Sequence, residues 1–344
     1  MAMRSAKKVY FRDKIKECSQ SRDVKKRWNL INTLLSRNKK SSNVNELHIN
    51  NSVIVDNKQI ADAFNEYFVQ ISPKLAAEVC DPTSQFTNSS DIQDCSNSYL
   101  GPRFVFSQIN QINVATSLRQ LKVSKTTGMD NIPAKILKIS VDIIAPSLTA
   151  IFNLSLNSCT YIDAWKKARI TPIFKSEDRQ KCDNYRPVSI LPIISKIFEK
   201  KVFDQLYEHL SQNLLLSKYQ SGFRPKHSTT SAHIQTCDQW LENMVNGMLN
   251  GVVFLDIRKA FDSLDHSILL KKMNEQFGIY GAELKWFESY LTKRQQVCFV
   301  NGHTSSRRKI TCGTVPQGSI LGTLLFLLYI NYMPKCLKST TPCP

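Results

Sequence analysis

Asp256 closes the apolar run Gly251-Val-Val-Phe-Leu-Asp256, and Phe261, Asp262 and Asp265 follow it in Asp-Ile-Arg-Lys-Ala-Phe-Asp-Ser-Leu-Asp-His. A carboxylate fixed at a strand end suits a hard Mg²⁺ ion, which takes one or two protein carboxylates and fills its other positions with water and substrate phosphates. An aspartate in that place is more often an ordinary helix cap, and the residue alone is weak evidence for a metal. Phe261 lies five residues further on. Its ring could wall the sugar of a nucleotide held by such a metal, or simply pack in a core. Downstream, Thr314-Val-Pro-Gln-Gly-Ser-Ile-Leu-Gly combines Gly318, which lets backbone approach closely, with the Gln317 amide and a following helix. Such a turn can bind phosphate or base edges.

The elements that must position these residues follow from periodicity. Val252 to Leu255 is β-branched and apolar enough to predict a strand delivering Asp256. Ala168–Phe174 and Tyr185–Leu191 predict two strands of a hairpin around the charged turn Lys175–Asn184. Helices are expected at 107–121, 133–139 and 146–157, the last two opening on prolines, and then at 192–210 and from the loop 218–228 to Met248. Further helices are expected at 267–276 and 282–293, strands at 296–301 and 307–312, and an apolar helix after Pro316. Irregular mixing of helices and hairpins points to an α+β fold.

Toward the N-terminus, Val9, Ile15, Val24, Trp28, Ile31 and Leu35 recur at helical intervals among basic residues, predicting one or two basic amphipathic helices. A second apolar stripe, Ile60, Phe64, Tyr67, Phe68 and Ile71, starts after a cap at Asp56 and is expected to stop near Pro73. These divide the chain into a basic helical segment at 1–80, a polar linker at 81–102, and a main domain at 103–344 with its core at about 160–344.

The 344 residues carry a formal charge of +18, half of it within the first fifty, where 13 basic side chains face 4 acidic ones. A polyanionic partner follows, nucleic acid first. No signal-peptide pattern opens the chain, and the longest apolar run, Ile320–Ile330, is too short to span a bilayer. An intracellular protein in nucleus or cytoplasm, without a membrane partner, is expected. The ten cysteines form no C-x-x-C pair and are expected to be free thiols. His227, His233 and Cys237 lack the paired close spacing of a zinc site.

Four blocks in order carry a family resemblance: Asn184-Tyr-Arg-Pro-Val-Ser-Ile-Leu, Tyr219-Gln-Ser-Gly-Phe-Arg-Pro, Phe254-Leu-Asp-Ile-Arg-Lys-Ala-Phe-Asp-Ser-Leu-Asp-His, and Gly313-Thr-Val-Pro-Gln-Gly-Ser-Ile-Leu-Gly. Together they resemble the reverse transcriptases of non-LTR retrotransposons of the jockey kind. The loop Gly128-Met-Asp-Asn-Ile-Pro133 is also similar, and the likeness covers about residues 100–344. Trp28, Asn65-Glu-Tyr-Phe68 and the basic lead-in resemble the segment joining endonuclease to polymerase in such elements.

The resemblance implies a right-hand fold of fingers and palm, RNA-templated DNA synthesis from a primer and deoxynucleoside triphosphates, and two-metal phosphoryl transfer with Mg²⁺. Residue by residue it implies that Asp256 is the first metal ligand and that Phe261 gates against a ribose 2′-hydroxyl. Lys175 and Arg186 would grip the triphosphate, Gln317 and Gly318 would contact the nucleotide and template pair, and Arg224 would touch template backbone. A lysine in a hairpin turn is also where a solvated charge sits, and Arg224 is also readable as a surface charge.

The family's second catalytic motif is a Tyr/Phe-x-Asp-Asp turn, and adjacent aspartates occur nowhere in the sequence. Tyr332-Met-Pro334 stands where Asp-Leu-Pro is usual, and Thr323 where proline is common. These departures lead to the expectation of a fragment with an incomplete palm, no thumb and no activity alone. The alternative is a non-catalytic binder of RNA or DNA.

Overall fold

The computed structural model describes residues 2–20, 24–34, 43–49, 52–79, 99–310, 313 and 315–336. They fall into two compact units, Met1–Val44 and Asn45–Pro344. In the first, the basic periodic stretch forms α1 (Ala2–Gln20) and α2 (Val24–Leu34), with Trp28 exposed. Leu35 and most of the 81–102 stretch lie outside the described residues.

The second unit opens with a short hairpin, β1 (Leu47–Ile49) and β2 (Ser52–Ile54), followed by α3 (Asn57–Val79). The apolar stripe of α3 is buried at Ile60, Phe64, Phe68 and Ile71. The helix runs through Pro73 rather than stopping there. An interior proline costs roughly 3 kcal/mol of helix stability. Buried Ile71 and Ser72 immediately precede it, and beyond it the helix is half-buried at Leu75 and otherwise exposed as far as Glu78. The segment expected to reach residue 80 as one piece with the basic helices therefore divides at Val44, with α3 in the larger unit.

The predicted hairpin is present as β3 (Lys167–Phe174) and β4 (Tyr185–Ile190), in antiparallel register from Arg169 opposite Ile190 to Phe174 opposite Tyr185. β5 (Gln295–Val300) runs parallel to β3 on its other side, Lys167 opposite Gln295. The short strands β6 (His303–Thr304) and β7 (Arg308–Lys309) both pair with β5. The strand expected at 307–312 is thus only two residues long within the described stretch. β4 is an edge strand, and Pro187 suits it because an outward-facing position there needs no N–H donor to a neighbouring strand. Asn65 of α3 ties the helix to this sheet, bonding Ser305, the Ser306 carbonyl at 2.8 Å and Gln296 at 3.0 Å, all buried or partly so.

Helices build the rest: α4 (Gln111–Arg119), α5 (Ala134–Ile139), α6 (Val141–Asn157), α7 (Ile193–Gln212), α8 (Thr229–Val245), α9 (His266–Phe277), α10 (Ala282–Leu291) and α11 (Ile320–Ile330). The helix expected from 107 starts later because the Ser107 and Ile109 N–H groups donate instead to Gln205 and Asn153 side chains, and Asn110 caps α4. α6 begins five residues before Pro146, since Val141 and Ala145 are buried and extend the packed face upstream. One apolar core joins α4–α7 to α9–α11, centred on stacked and edge-on rings of Phe152, Tyr161, Phe198, Trp286 and Tyr290. α8 buries none of its residues.

The expected strand Val252–Leu255 is not formed. The stretch is unpaired, and Val253, Phe254 and Leu255 are 81%, 87% and 75% exposed. A β-branched run becomes a strand only when a neighbour takes its N–H and C=O groups. In this sheet β3 is paired on both sides, β5 is flanked by β3, β6 and β7, and the outer edge of β4 is met by another segment. Among the described residues, nothing offers the run a partner.

Candidate functional site

The β3–β4 hairpin places Lys175 and Arg186 on one face. Ile173 lies opposite Arg186, so Lys175, two residues beyond Ile173, is its diagonal neighbour, with side chains about 7–8 Å apart at their bases. The ladder continues past the strand end through the Lys175 N–H, which donates to the Asn184 carbonyl at 2.8 Å. Both cations are exposed. Two positive side chains on one face of a hairpin, a lysine point charge and a guanidinium fork, have the chemistry to receive an anion.

The outer edge of β4 receives the Gln317–Gly318 bend. The Ser189 N–H donates to the Gln317 carbonyl at 2.7 Å. Gly318 has φ +116°, and a Cβ there would meet the Ser189 carbonyl oxygen at 2.8 Å, so glycine is required on both conformational and steric grounds. Arg186 and the docking point of the bend are three residues apart on one strand, about 10 Å. Immediately after the bend, Ser319 caps α11 by accepting from Gly322 N–H at 2.9 Å.

The loop following Asp256 touches both structures. The Val315 N–H, just before the bend, donates to the Phe261 carbonyl at 3.2 Å. The half-buried Phe261 ring packs between Phe223, at 5.8 Å between centroids, and Phe326 of α11, at 5.0 Å. Lys259 Nζ lies 2.6 Å from Asp183 Oδ1 in the turn that enters β4, and the Tyr67 hydroxyl of α3 donates to the same oxygen. Lys259 and Tyr67 together hold the Asp183 carboxyl below its usual range. Burial, with the Asp183 charge beside it, pushes the Tyr67 phenol up.

Asp256 itself is exposed on the unpaired run, not at a strand tip. Its chain tether to Lys259 is three residues, at most about 11 Å. The other two aspartates of the motif differ from it in setting. Asp265 caps α9, accepting from the Ser267 and Ile268 N–H groups, and its pKa is lowered first by the Ser267 hydroxyl and then by these N–H groups. Asp262 is buried, and desolvation raises its carboxyl to about 6 against an opposing effect of Lys259. Arg224 is half-buried, its Nη1 donating to the Ser217 and Gln220 carbonyls at 2.9 and 3.2 Å, so part of its guanidinium is engaged by its own loop.

The hairpin, the bend and the Phe261 loop therefore meet around β4, while Asp256 hangs from the third of them. Sequence reading missed Lys259, Asp183, Tyr67 and Glu199. Glu199 had a signal: it interrupts the buried stripe Ser195, Val202, Leu206 and Leu210 of α7 with a fully buried carboxylate. The Lys259–Asp183 contact joins residues 76 positions apart and had none.

Among the described residues, no three His, Cys, Asp or Glu side chains cluster so as to hold a metal ion, and no helix is long and apolar enough to cross a membrane. Of the motif's carboxylates, Asp265 caps α9 and Asp262 is buried, which leaves Asp256 as the one that is neither. These residues by themselves do not fit a two-metal centre.

Comparison with known proteins gives the same direction as the motifs. Residues 173–342 match the family described as reverse transcriptase (RNA-dependent DNA polymerase). The chain is 32% identical over 224 residues to the RNA-directed DNA polymerase from mobile element jockey of Drosophila melanogaster, covering 64% of this chain and 24% of that protein. It is 28% identical over 256 residues to the probable RNA-directed DNA polymerase from transposon BS of the same species, covering 73% and 28%. A third relative there, from transposon X-element, is 29% identical over 247 residues, covering 71% and 27%. The chain spans about a quarter of the length of these curated relatives.

Proposed function

Because this chain belongs to the reverse transcriptase family, alongside the enzymes of non-LTR mobile elements, we propose that it is the nucleotide-gripping part of an RNA-directed DNA polymerase. The observation that carries this is the meeting on one edge strand of Arg186, its neighbour Lys175 and the Gln317–Gly318 bend. In this reading the two cations neutralise the triphosphate of an incoming deoxynucleotide, and the bend supports its base pair with the RNA template. Phe261, locked between two rings, walls the sugar. Arg224 stiffens its loop beside the template path and leaves its Nη2 group for phosphate.

The family generally uses a divalent metal such as Mg²⁺. Among the described residues, Asp256, Asp262 and Asp265 do not complete such a centre. The right-hand division into fingers and palm belongs to the same proposal: the hairpin would be a finger element, and the Asp256 loop with the bend would line the palm.

Primer extension tests the reading. The chain, an RNA template, a DNA primer, deoxynucleotides and Mg²⁺ are compared with Asp256→Ala. Extension by the parent chain alone establishes the polymerase. Exposure of Asp256 without a second carboxylate favours a second reading, a binder of RNA or DNA without chemistry. That reading predicts template-primer binding that weakens steeply with salt and no extension by either form.

A further inference from the structure

Glu199 sits in the middle of α7, the helix that follows β4, and is fully buried. Its Oε2 accepts the N–H groups of Ile320 at 2.7 Å and Leu321 at 3.4 Å. These are the first two residues of α11, and Ser319 takes the N–H of the third, Gly322, at 2.9 Å. The first N–H groups of a helix have no partner within it, and burying them unpaired is costly. A carboxylate there also suits the positive end of the helix dipole.

The geometry points to Glu199 as a positioning residue that holds the Gln317–Gly318 bend against β4. Three facts link it to the bend. Only Ser319 separates Gly318 from the amides that Glu199 binds, so the start of α11 and the bend move together. The bend is fixed on its other side by the Ser189 N–H, on the strand two residues before the loop into α7. The backbone of Gly318 lies so close to β4 that an added Cβ would meet the Ser189 carbonyl at 2.8 Å, so a displacement of the α11 terminus changes that approach. Glu199 thus acts from behind the site through the helix terminus, without touching a nucleotide. Its stripe on α7 could be filled by leucine if packing were its only task. The inference rests on the reading of the bend as nucleotide contact only for its functional meaning.

Amide hydrogen exchange on the full chain tests it. In the unaltered protein the Ile320 and Leu321 amides should exchange as slowly as those of the α11 interior, although helix-start amides ordinarily exchange fast; fast exchange there overturns the proposal without any variant. Glu199→Leu should speed exchange at Ile320, Leu321 and Ser189 by about tenfold or more, the loss expected of a broken buried hydrogen bond. Glu199→Gln, which keeps an acceptor oxygen, should restore protection. Unchanged protection in Glu199→Leu, equal loss in both variants, or loss spread evenly over the core overturns it. Binding of a deoxynucleoside triphosphate to template-primer-loaded chain is measured in parallel. Lost bend protection with unaltered nucleotide affinity supports the role of Glu199 and instead overturns the nucleotide role of the bend.

Discussion

Lys259 and Asp183 form an ion pair, Nζ to Oδ1 2.6 Å, between the loop that follows Asp256 and the turn that starts the Arg186 strand. Tyr67 of α3 closes the pair from a third element. The contact ties the loop bearing the candidate metal ligand to the hairpin bearing the candidate phosphate grip.

Asp183 is 58% exposed, which limits the strength of the pair. A double-mutant cycle on Lys259→Ala and Asp183→Ala should give a coupling of about 0.5–1 kcal/mol by chemical denaturation. Exchange in residues 256–262 should rise in both single variants. A coupling indistinguishable from zero would mean the ion pair has no part in holding the loop.

Gly318→Ala forces a side chain into a left-handed backbone position and against the Ser189 carbonyl. Strain of roughly 1–3 kcal/mol is expected before any clash is counted. Nucleotide affinity should fall at least about tenfold while circular dichroism stays near that of the parent. Parent-like affinity would show that the bend has no part in nucleotide contact.

Asp262 gives the protein a pH signature. Its folded pKa, about 6, lies above the ordinary 3.8, so the folded chain holds the proton more tightly than the unfolded one. This contribution to stability is complete below 3.8 and is lost as pH rises through about 6. Within that window the slope approaches roughly 1.4 kcal/mol per pH unit. Urea titrations of the parent and Asp262→Asn should diverge there, the variant being flatter. Parallel curves would place the effect elsewhere.

The hairpin, the helices of the main unit and the glycine of the bend were legible because each is written locally. Alternation fixes β3 and β4, a buried stripe fixes α7, and Gly318 follows a proline and a polar amide at a helix start. Two prolines misled, since both sit inside helices: α3 runs on past Pro73, and the buried face of α6 begins upstream of Pro146. The run 252–255 misled for the opposite reason: its β propensity is real, but pairing is a property of the neighbour, and no described segment provides one. Long-range ties such as Lys259 to Asp183 and Glu199 to Ile320 leave no spacing pattern at all.

Arg186→Ala and Lys175→Ala should each weaken deoxynucleotide binding about tenfold, with less than additive loss in the double variant because neighbouring cations share one triphosphate. Fluorescence titration with a labelled deoxynucleotide measures this. Full additivity would indicate two separate anion seats.

Photo-crosslinking of a halogenated deoxyuridine triphosphate to the chain on an RNA template and DNA primer tests the central claim most directly, because it needs no turnover. Mapped adducts should fall within 175–186, 256–261 and 315–318, and should vanish under excess unlabelled nucleotide and in Arg186→Ala. Adducts scattered over α8 or the basic N-terminal helices, unaffected by competitor, would contradict the assignment of a nucleotide site to the β4 edge.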